Sequence, residues 1–383
     1  MWLSAQVSKK RNQSLDGIRA VAVILTFNVH FFGGYLATFR GANPNSVPLA
    51  SLPSLFDKIL YWLYHSHHGV SIFFILSGFL ISKISQSADC VYLTFIRNRI
   101  VRVYPAFLLA LVICLAGGAS IGAQFPDIQT LIGNLVFLNA IPSLGIPGIV
   151  FNNVTWSLFY EMVFYLLFPV VLLIGRWAGL PAIASTIVGG LIFAYGPLQF
   201  GMDLRSFIFL FVGAGVGCLS REQIERVANI CPDVAIVSIY LLTTTLFTLG
   251  YIIDWQFTWL FSGLSIIVLC KAVSKRGALA RALSWRPLAW LGMISYSFYL
   301  LHSVAIVIAF RARRYFVVSD AGDVVPLVIL AALSFAGAVL LALISYLIVE
   351  RFYFAKRAPV SHEAPSSAVL ASDPARVSSG RTE

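Results

Sequence analysis

The chain has 383 residues, of which 59% are hydrophobic and 11% charged, and its mean hydropathy is +0.85. Soluble domains carry about 25% charged residues, so a soluble enzyme, a disordered chain and a disulfide scaffold are excluded and a polytopic membrane protein is left. The net charge of +11 fits the Lys and Arg of cytoplasmic loops; the basic patches interleaved with aromatics that single-stranded nucleic acids use are absent, so no nucleic-acid partner is expected.

Segment 1–14 is polar and basic around Lys9, Lys10 and Arg11. It lacks the apolar core and small-residue site of a cleaved signal peptide and reads as a cytoplasmic anchor. Apolar runs of the length a span needs, about 17–25 residues, follow at 18–36, 68–84, 103–121, 156–175, 181–198, 205–219, 234–252, 257–273, 289–310 and 325–349. They predict an all-α, polytopic transmembrane helix bundle of about ten spans. The run 131–141 is too short to cross and reads as a re-entrant or interfacial segment. With the N-terminus inside, only Arg40, Lys58, Arg205, Arg311, Arg313 and Arg314 fall outside. The other Lys and Arg fall inside, as the positive-inside rule requires. Both termini are therefore expected on the cytoplasmic side of the cell's inner (plasma) membrane. Residues 359–383, rich in Ser, Pro and Ala, read as a disordered cytoplasmic tail, leaving 15–358 as one transmembrane domain. Cys90, Cys114, Cys218, Cys231 and Cys270 match no metal or redox spacing and predict no disulfide. The triplet His65-x-His67-His68 has no Cys, Asp or Glu close by, so no metal site is expected.

Ionisable residues deep in a span are costly and point to function. Apart from Tyr, Cys and residues at span edges, these are His30, Glu161 and His302. At 1.5 Å per residue, His30 lies ~18 Å from the inner face, His302 ~20 Å from it, and Glu161 ~8 Å from the outer face. Histidine and carboxylate are the usual carriers of protons in acid–base catalysis; the plain alternative is a polar pair that glues helices. Arg19 and His30 are 11 residues apart and share one helix face, ~16 Å apart along it. That face suits a long ligand with an anionic head at the inner surface, although an Arg there also simply snorkels to headgroups. Arg97, Arg99 and Arg102 form a second cluster, and neighbouring guanidinium groups bind phosphate bidentately. Positive-inside anchoring accounts for the same cluster.

Five segments resemble the membrane-bound acyltransferase-3 family. Leu15-Asp16-Gly17-Ile18-Arg19-Ala20, running to His30, is similar to the family's opening motif. Gly69 to Ile81 (GVSIFFILSGFLI), Arg99 to Pro105 (RIVRVYP), Trp156 to Tyr165 (WSLFYEMVFY) and Leu291 to His302 (LGMISYSFYLLH) are similar to its later motifs, in the same order. Members acylate sugars and other hydroxyl compounds. The resemblance implies that His30 is the catalytic base and that Arg19, Arg99 and Arg102 serve the acyl-CoA donor, acetyl-CoA above all. Glu161 and His302 fall at motif positions and join the catalytic set. No permanently bound cofactor is implied. The expected partners are acyl-CoA, a glycan or other hydroxyl acceptor, and the bilayer. Many relatives carry a second acid where this chain has Met162. Some also continue into a secreted hydrolase-like domain, so a separate extracytoplasmic polysaccharide-modifying partner is a further expectation.

The implied reaction is O-acylation, most simply O-acetylation, of an exported or cell-surface glycan. Two routes stay open. His30 takes the proton of the acceptor hydroxyl as it attacks the thioester, or His30 takes the acyl group itself and passes it on. In either, Glu161 or His302 orients the imidazole. Buried His and Glu also suit a proton-coupled transporter or flippase, but the inverted repeats and interrupted helices of such folds are not evident in the sequence. Ser77-Gly78 marks a close helix approach.

Overall fold

Backbone inside a bilayer must satisfy its own hydrogen bonds, which leaves helices or closed barrels. The computed structural model describes residues 12–65, 68–86, 91–151, 153–174, 203–316 and 324–352, and every regular element among them is a helix. In chain order these are α1 Gln13–Phe39, α2 Leu55–His65, α3 Gly69–Ser85, α4 Tyr92–Ser120, α5 Ile128–Leu135, α6 Trp156–Ile174 and α7 Leu204–Cys218. Then come α8 Arg221–Ala228, α9 Asp233–Thr248, α10 Asp254–Ser274, α11 Gly277–Leu283, α12 Arg286–Met293, α13 Ser295–Phe316 and α14 Val324–Ser345.

Among the described residues, 7 stretches are long and apolar enough to cross a membrane: α1, Leu55–Ser85, α4, α6, α10, Ser295–Arg313 and Val324–Glu350. The number is 8 if α7 and α8, bent by 118° at their junction, count as one broken span; α9 is apolar but shorter. The chain is a multi-pass membrane protein, and the predicted ten spans are an approximate count. The run 181–198 and the tail 359–383 lie outside the described residues.

The predicted runs that are described all land on helices, with three differences. The helix expected from 103 already begins at Tyr92, because charge lowers hydropathy without preventing helix formation. The run 289–310 is broken at Ile294 into α12 and α13. The run 131–141 holds the C-terminal half of the 8-residue α5 and then a 3₁₀ turn, Leu138–Ala140, entered through Phe137 at φ 64°.

α1 is the hub and packs against α2, α3, α10, α11, α12, α13 and α14. Its N-terminal half is drawn in by backbone contact. A Cβ on Gly17 would sit 1.9 Å from the carbonyl oxygen of Leu283, and one on Gly292 would sit 1.9 Å from that of Asp16. Small residues let membrane helices approach this closely. Gly78 and Gly213 do the same for α3 and α7, each facing a carbonyl of the other helix, at 1.9 and 1.8 Å. The C-terminal half of α1 is seamed by aromatics, with Phe27 against Phe31, Phe298 and Phe335. Large apolar residues such as Leu93, Val112, Leu242 and Val328 are exposed, as a lipid-facing surface requires.

Candidate active site

The start of α1 is fixed before any functional group appears on it. Asn12 caps the helix, its side chain accepting from the Ser14 N–H at 3.1 Å and donating to the Ala272 carbonyl at 3.0 Å. Ser14 Oγ meets Ser284 Oγ at 2.6 Å. Asp16 is buried in the first turn, where the helix dipole favours an anion, and pairs with Arg19 Nη1 at 2.8 Å. Arg19 is thereby held on the face that looks into the bundle.

That face borders a cavity lined by Arg19, Arg99, Arg102, Glu161, Ser77 and Tyr165, among others. Three chain-distant helices, α1, α4 and α6, thus bring their charges to one place. Arg99 lies over the rings of Phe95 (5.3 Å) and Tyr165 (5.7 Å), and its Nε is buried with no hydrogen-bond partner. Arg102 lies over Tyr296 at 5.4 Å and is ion-paired with Glu350. The Glu161 carboxylate faces the hydroxyls of Ser77 and Tyr165 and is within electrostatic reach of Arg99 and Arg102. The chemistry of this set, three guanidinium groups in a polar recess, suits a multiply charged phosphate ligand.

His30 borders a different cavity, together with His68, Trp156, Asp203, Arg205 and Asp254. Arg205 pairs with Asp203 at 2.9 Å and with Asp254, and the Tyr160 hydroxyl accepts from the Asp203 N–H at 2.7 Å. Aromatic and carboxylate groups around a histidine are a set that can bind a polyhydroxyl compound. Val70, Phe74 and Tyr299 line both cavities, so one layer of side chains separates them. Tyr299 is held there, its hydroxyl donating to the Val154 carbonyl at 2.7 Å and lying 2.8 Å from Ser157 Oγ.

The ring of His302 stands 5.0 Å from that of His30, centroid to centroid. His302 Nδ1 lies 2.7 Å from the Tyr299 carbonyl. A carbonyl only accepts, so Nδ1 carries the proton and Nε2 the lone pair. Nε2 is buried without a hydrogen-bond partner, an acceptor in want of a donor.

The six residues singled out in the sequence therefore form two groups. Arg19, Arg99, Arg102 and Glu161 meet in one cavity; His30 and His302 meet beside the other. Glu161 does not share a cavity with His30, although its depth counted from the outer end of α6 would put it in the same half. The reason lies in the entry to α6. Val154 and Thr155, just before the helix, are 1% and 0% exposed, so α6 starts among packed side chains, and Glu161 faces Ser77 and Tyr165 instead. Glu350 was missed because it ends the last apolar run, where a charge reads as an edge residue. Asp203, Arg205 and Asp254 sit at helix starts and carry no sequence signal beyond N-terminal acids.

The family model described as the acyltransferase domain, of the acyltransferase-3 type, matches residues 12–346. The chain belongs to this family. Among curated acyltransferase relatives, it is 24% identical over 351 residues to the peptidoglycan O-acetyltransferase OatA of Listeria monocytogenes, covering 79% of this chain and 50% of that one. It is 29% identical over 257 residues to the exopolysaccharide production protein ExoZ of Rhizobium meliloti, covering 64% and 78%. The match to the O-acetyltransferase OatA of Staphylococcus aureus is 25% over 292 residues, covering 64% and 47%. The acyltransferase chain thus spans about half the length of the peptidoglycan O-acetyltransferases it matches. No solved structure matches it.

Proposed function

We propose that this acyltransferase-family chain is a membrane O-acyltransferase that moves an acyl group, most simply acetyl, from acyl-CoA to a hydroxyl of a cell-surface or exported glycan. The observation that carries the reading is the pair of polar cavities back to back. One is lined by Arg19, Arg99 and Arg102, the other by His30, and Val70, Phe74 and Tyr299 line both. The phosphates of the donor bind the arginines, at the cytoplasmic end of a chain whose two termini face the cytoplasm of an inner membrane. Its pantetheine arm runs along α1 and passes Tyr299 to bring the thioester to His30, ~16 Å from Arg19. The glycan enters the second cavity, where Trp156 offers a ring face and Asp203 and Asp254 accept from hydroxyls. The names of the relatives, peptidoglycan O-acetyltransferase and exopolysaccharide production protein, support a glycan acceptor.

His30 is the base. The unpartnered lone pair on His302 Nε2, its ring 5.0 Å from that of His30, takes the N–H of His30 when the site closes on its substrates and fixes its tautomer, so that the other His30 nitrogen presents a lone pair to the acceptor hydroxyl. That nitrogen takes the hydroxyl proton as the oxygen attacks the thioester carbonyl, and the thiolate leaves with a proton. In the acyl-histidine route that nitrogen attacks the thioester itself and the thiolate leaves; the acceptor oxygen then attacks the acyl-imidazole, and its proton goes to the imidazole nitrogen that is released. Glu161, bound by Ser77 and Tyr165, balances the arginines rather than orienting His30. A separate extracytoplasmic protein that handles the polysaccharide is the expected partner.

The test uses purified protein in nanodiscs with radiolabelled acetyl-CoA and a candidate glycan, beside His30→Ala. Label that reaches the glycan only with His30 intact supports the reading, and label that stays on the protein selects the acyl-histidine route. Full transfer by folded His30→Ala removes His30 from the mechanism. Folded protein that binds no CoA, but takes up a polar solute down a proton gradient, would establish the transporter instead.

A further inference from the structure

After Ser345 the last helix does not stop but widens into a π-helical turn, Tyr346–Glu350. Such turns re-aim side chains and recur at functional sites. Here the turn brings Glu350 inside. Its side chain is 1% exposed, is ion-paired with Arg102 and accepts from Ser297 Oγ at 2.5 Å. Ser297 Oγ is itself 2.7 Å from Ser345 Oγ. The uncharged Tyr296 ring and the Glu350 carboxylate both hold Arg102.

Two of the three cavity arginines are matched by a carboxylate. Arg19 has Asp16 and Arg102 has Glu350. Stability does not call for such a pairing at Arg102, because buried ion pairs are commonly matched in stability by apolar residues of the same volume. The matched charge does, however, lower the pull of the cavity on an anion. We propose that Glu350 sets the affinity of the donor pocket: it competes with a donor phosphate for Arg102, so that neither acyl-CoA nor the CoA left after transfer is held too long. This assignment rests on reading the arginine cavity as the acyl-CoA site. Glu350 lies four residues beyond the family match, which ends at 346.

The role makes an unusual demand, that removing the residue tightens binding. In Glu350→Gln, Tyr296 still holds the guanidinium and the amide oxygen still accepts from Ser297, but the competing charge is gone. Calorimetric titration of CoA into nanodisc-held protein should show Kd about tenfold lower than wild type, with KM for acetyl-CoA lower and kcat also lower as CoA release slows. Glu350→Asp, which keeps the charge, should stay near wild type. If Glu350→Gln does not fold, Glu350→Met, of similar volume and uncharged, carries the same expectation. CoA bound by wild type but equally or more weakly by the uncharged variants overturns the assignment of Glu350 alone. No CoA binding by wild type overturns the donor reading on which it rests.

Discussion

Gly17→Ala adds one methyl group and touches no polar side chain, yet it should damage both stability and transfer. The new Cβ would lie 1.9 Å from the Leu283 oxygen, 2.6 Å from its carbonyl carbon and 2.9 Å from its Cα. All three are backbone atoms and cannot rotate away. Ordinary contact begins near 3.4 Å, so α1 and α11 must part by about 1.5 Å. Overpacking of this kind costs about 1–3 kcal/mol, which lowers the apparent Tm by roughly 2–6 °C. Arg19 is two residues further along the same helix, on the opposite face about 200° away, and moves with the helix as a whole; a displacement of ~1 Å at a positioning group costs about 10²-fold in rate. Scanning fluorimetry in detergent and acyl transfer from acetyl-CoA read the two effects. Gly263→Ala is the control, since its Cβ meets nothing within 4 Å. If Gly17→Ala behaves like Gly263→Ala in both assays, α1 does not meet α11 as described and the positioning argument for Arg19 falls with it.

Arg99→Ala removes the cavity arginine whose Nε is unpartnered, and the KM for acetyl-CoA should rise about tenfold or more, the worth of a charge-assisted hydrogen bond; an unchanged KM takes Arg99 out of the donor site. His302→Phe keeps a ring where His302 stacks on Phe298 with planes 5° apart but removes both nitrogens. Its kcat should drop about 10²-fold with donor KM unchanged, and a wild-type kcat would show that His30 needs no partner to set its tautomer. Outside the spans, Asp127 caps α5, and its bond from the Thr130 N–H holds the carboxyl below the usual carboxylate range. A lowered pKa means that the cap's contribution is present at neutral pH and is lost as pH falls through the folded value. Protection factors of α5 amides in hydrogen exchange should therefore hold at pH 7 and decline below pH ~4; protection constant across that range would contradict the cap.

The membrane architecture was legible because hydropathy reports what lipid demands and little else competes with it. Arg19, Arg99 and Arg102 were legible as a group because cations beside apolar runs are few, and the structure gathers them in one cavity. His30 and His302, 272 positions apart in the chain, were legible because each is the odd polar residue in its run. Their mutual contact was not, since nothing in either run records which helix lies beside it. Glu161 was found but its cavity was not, because a buried helix start such as Thr155 looks like any loop residue in sequence. Glu350 was invisible for a related reason: a π-turn has no composition of its own, and only the turn tells an inward carboxylate from a terminal one. The close approaches at Gly17 and Gly292 were hidden too, since a helical glycine says that a Cβ is unwelcome without saying what it would strike.

The layer formed by Val70, Phe74 and Tyr299 also has an electrical meaning. Where two polar cavities in a helix bundle share lining residues, the insulating part of the barrier between them shrinks to the thickness of one shell of side chains. A membrane voltage then falls mostly across that shell, and moving one elementary charge through it costs or yields about 2.3 kcal/mol per 100 mV. An uncharged acyl group crosses such a shell with no electrical work, whereas a phosphate does not. For the proposed transfer the septum would thus act as a filter by charge, passing a neutral acyl group and keeping the charged carrier on the side from which it came.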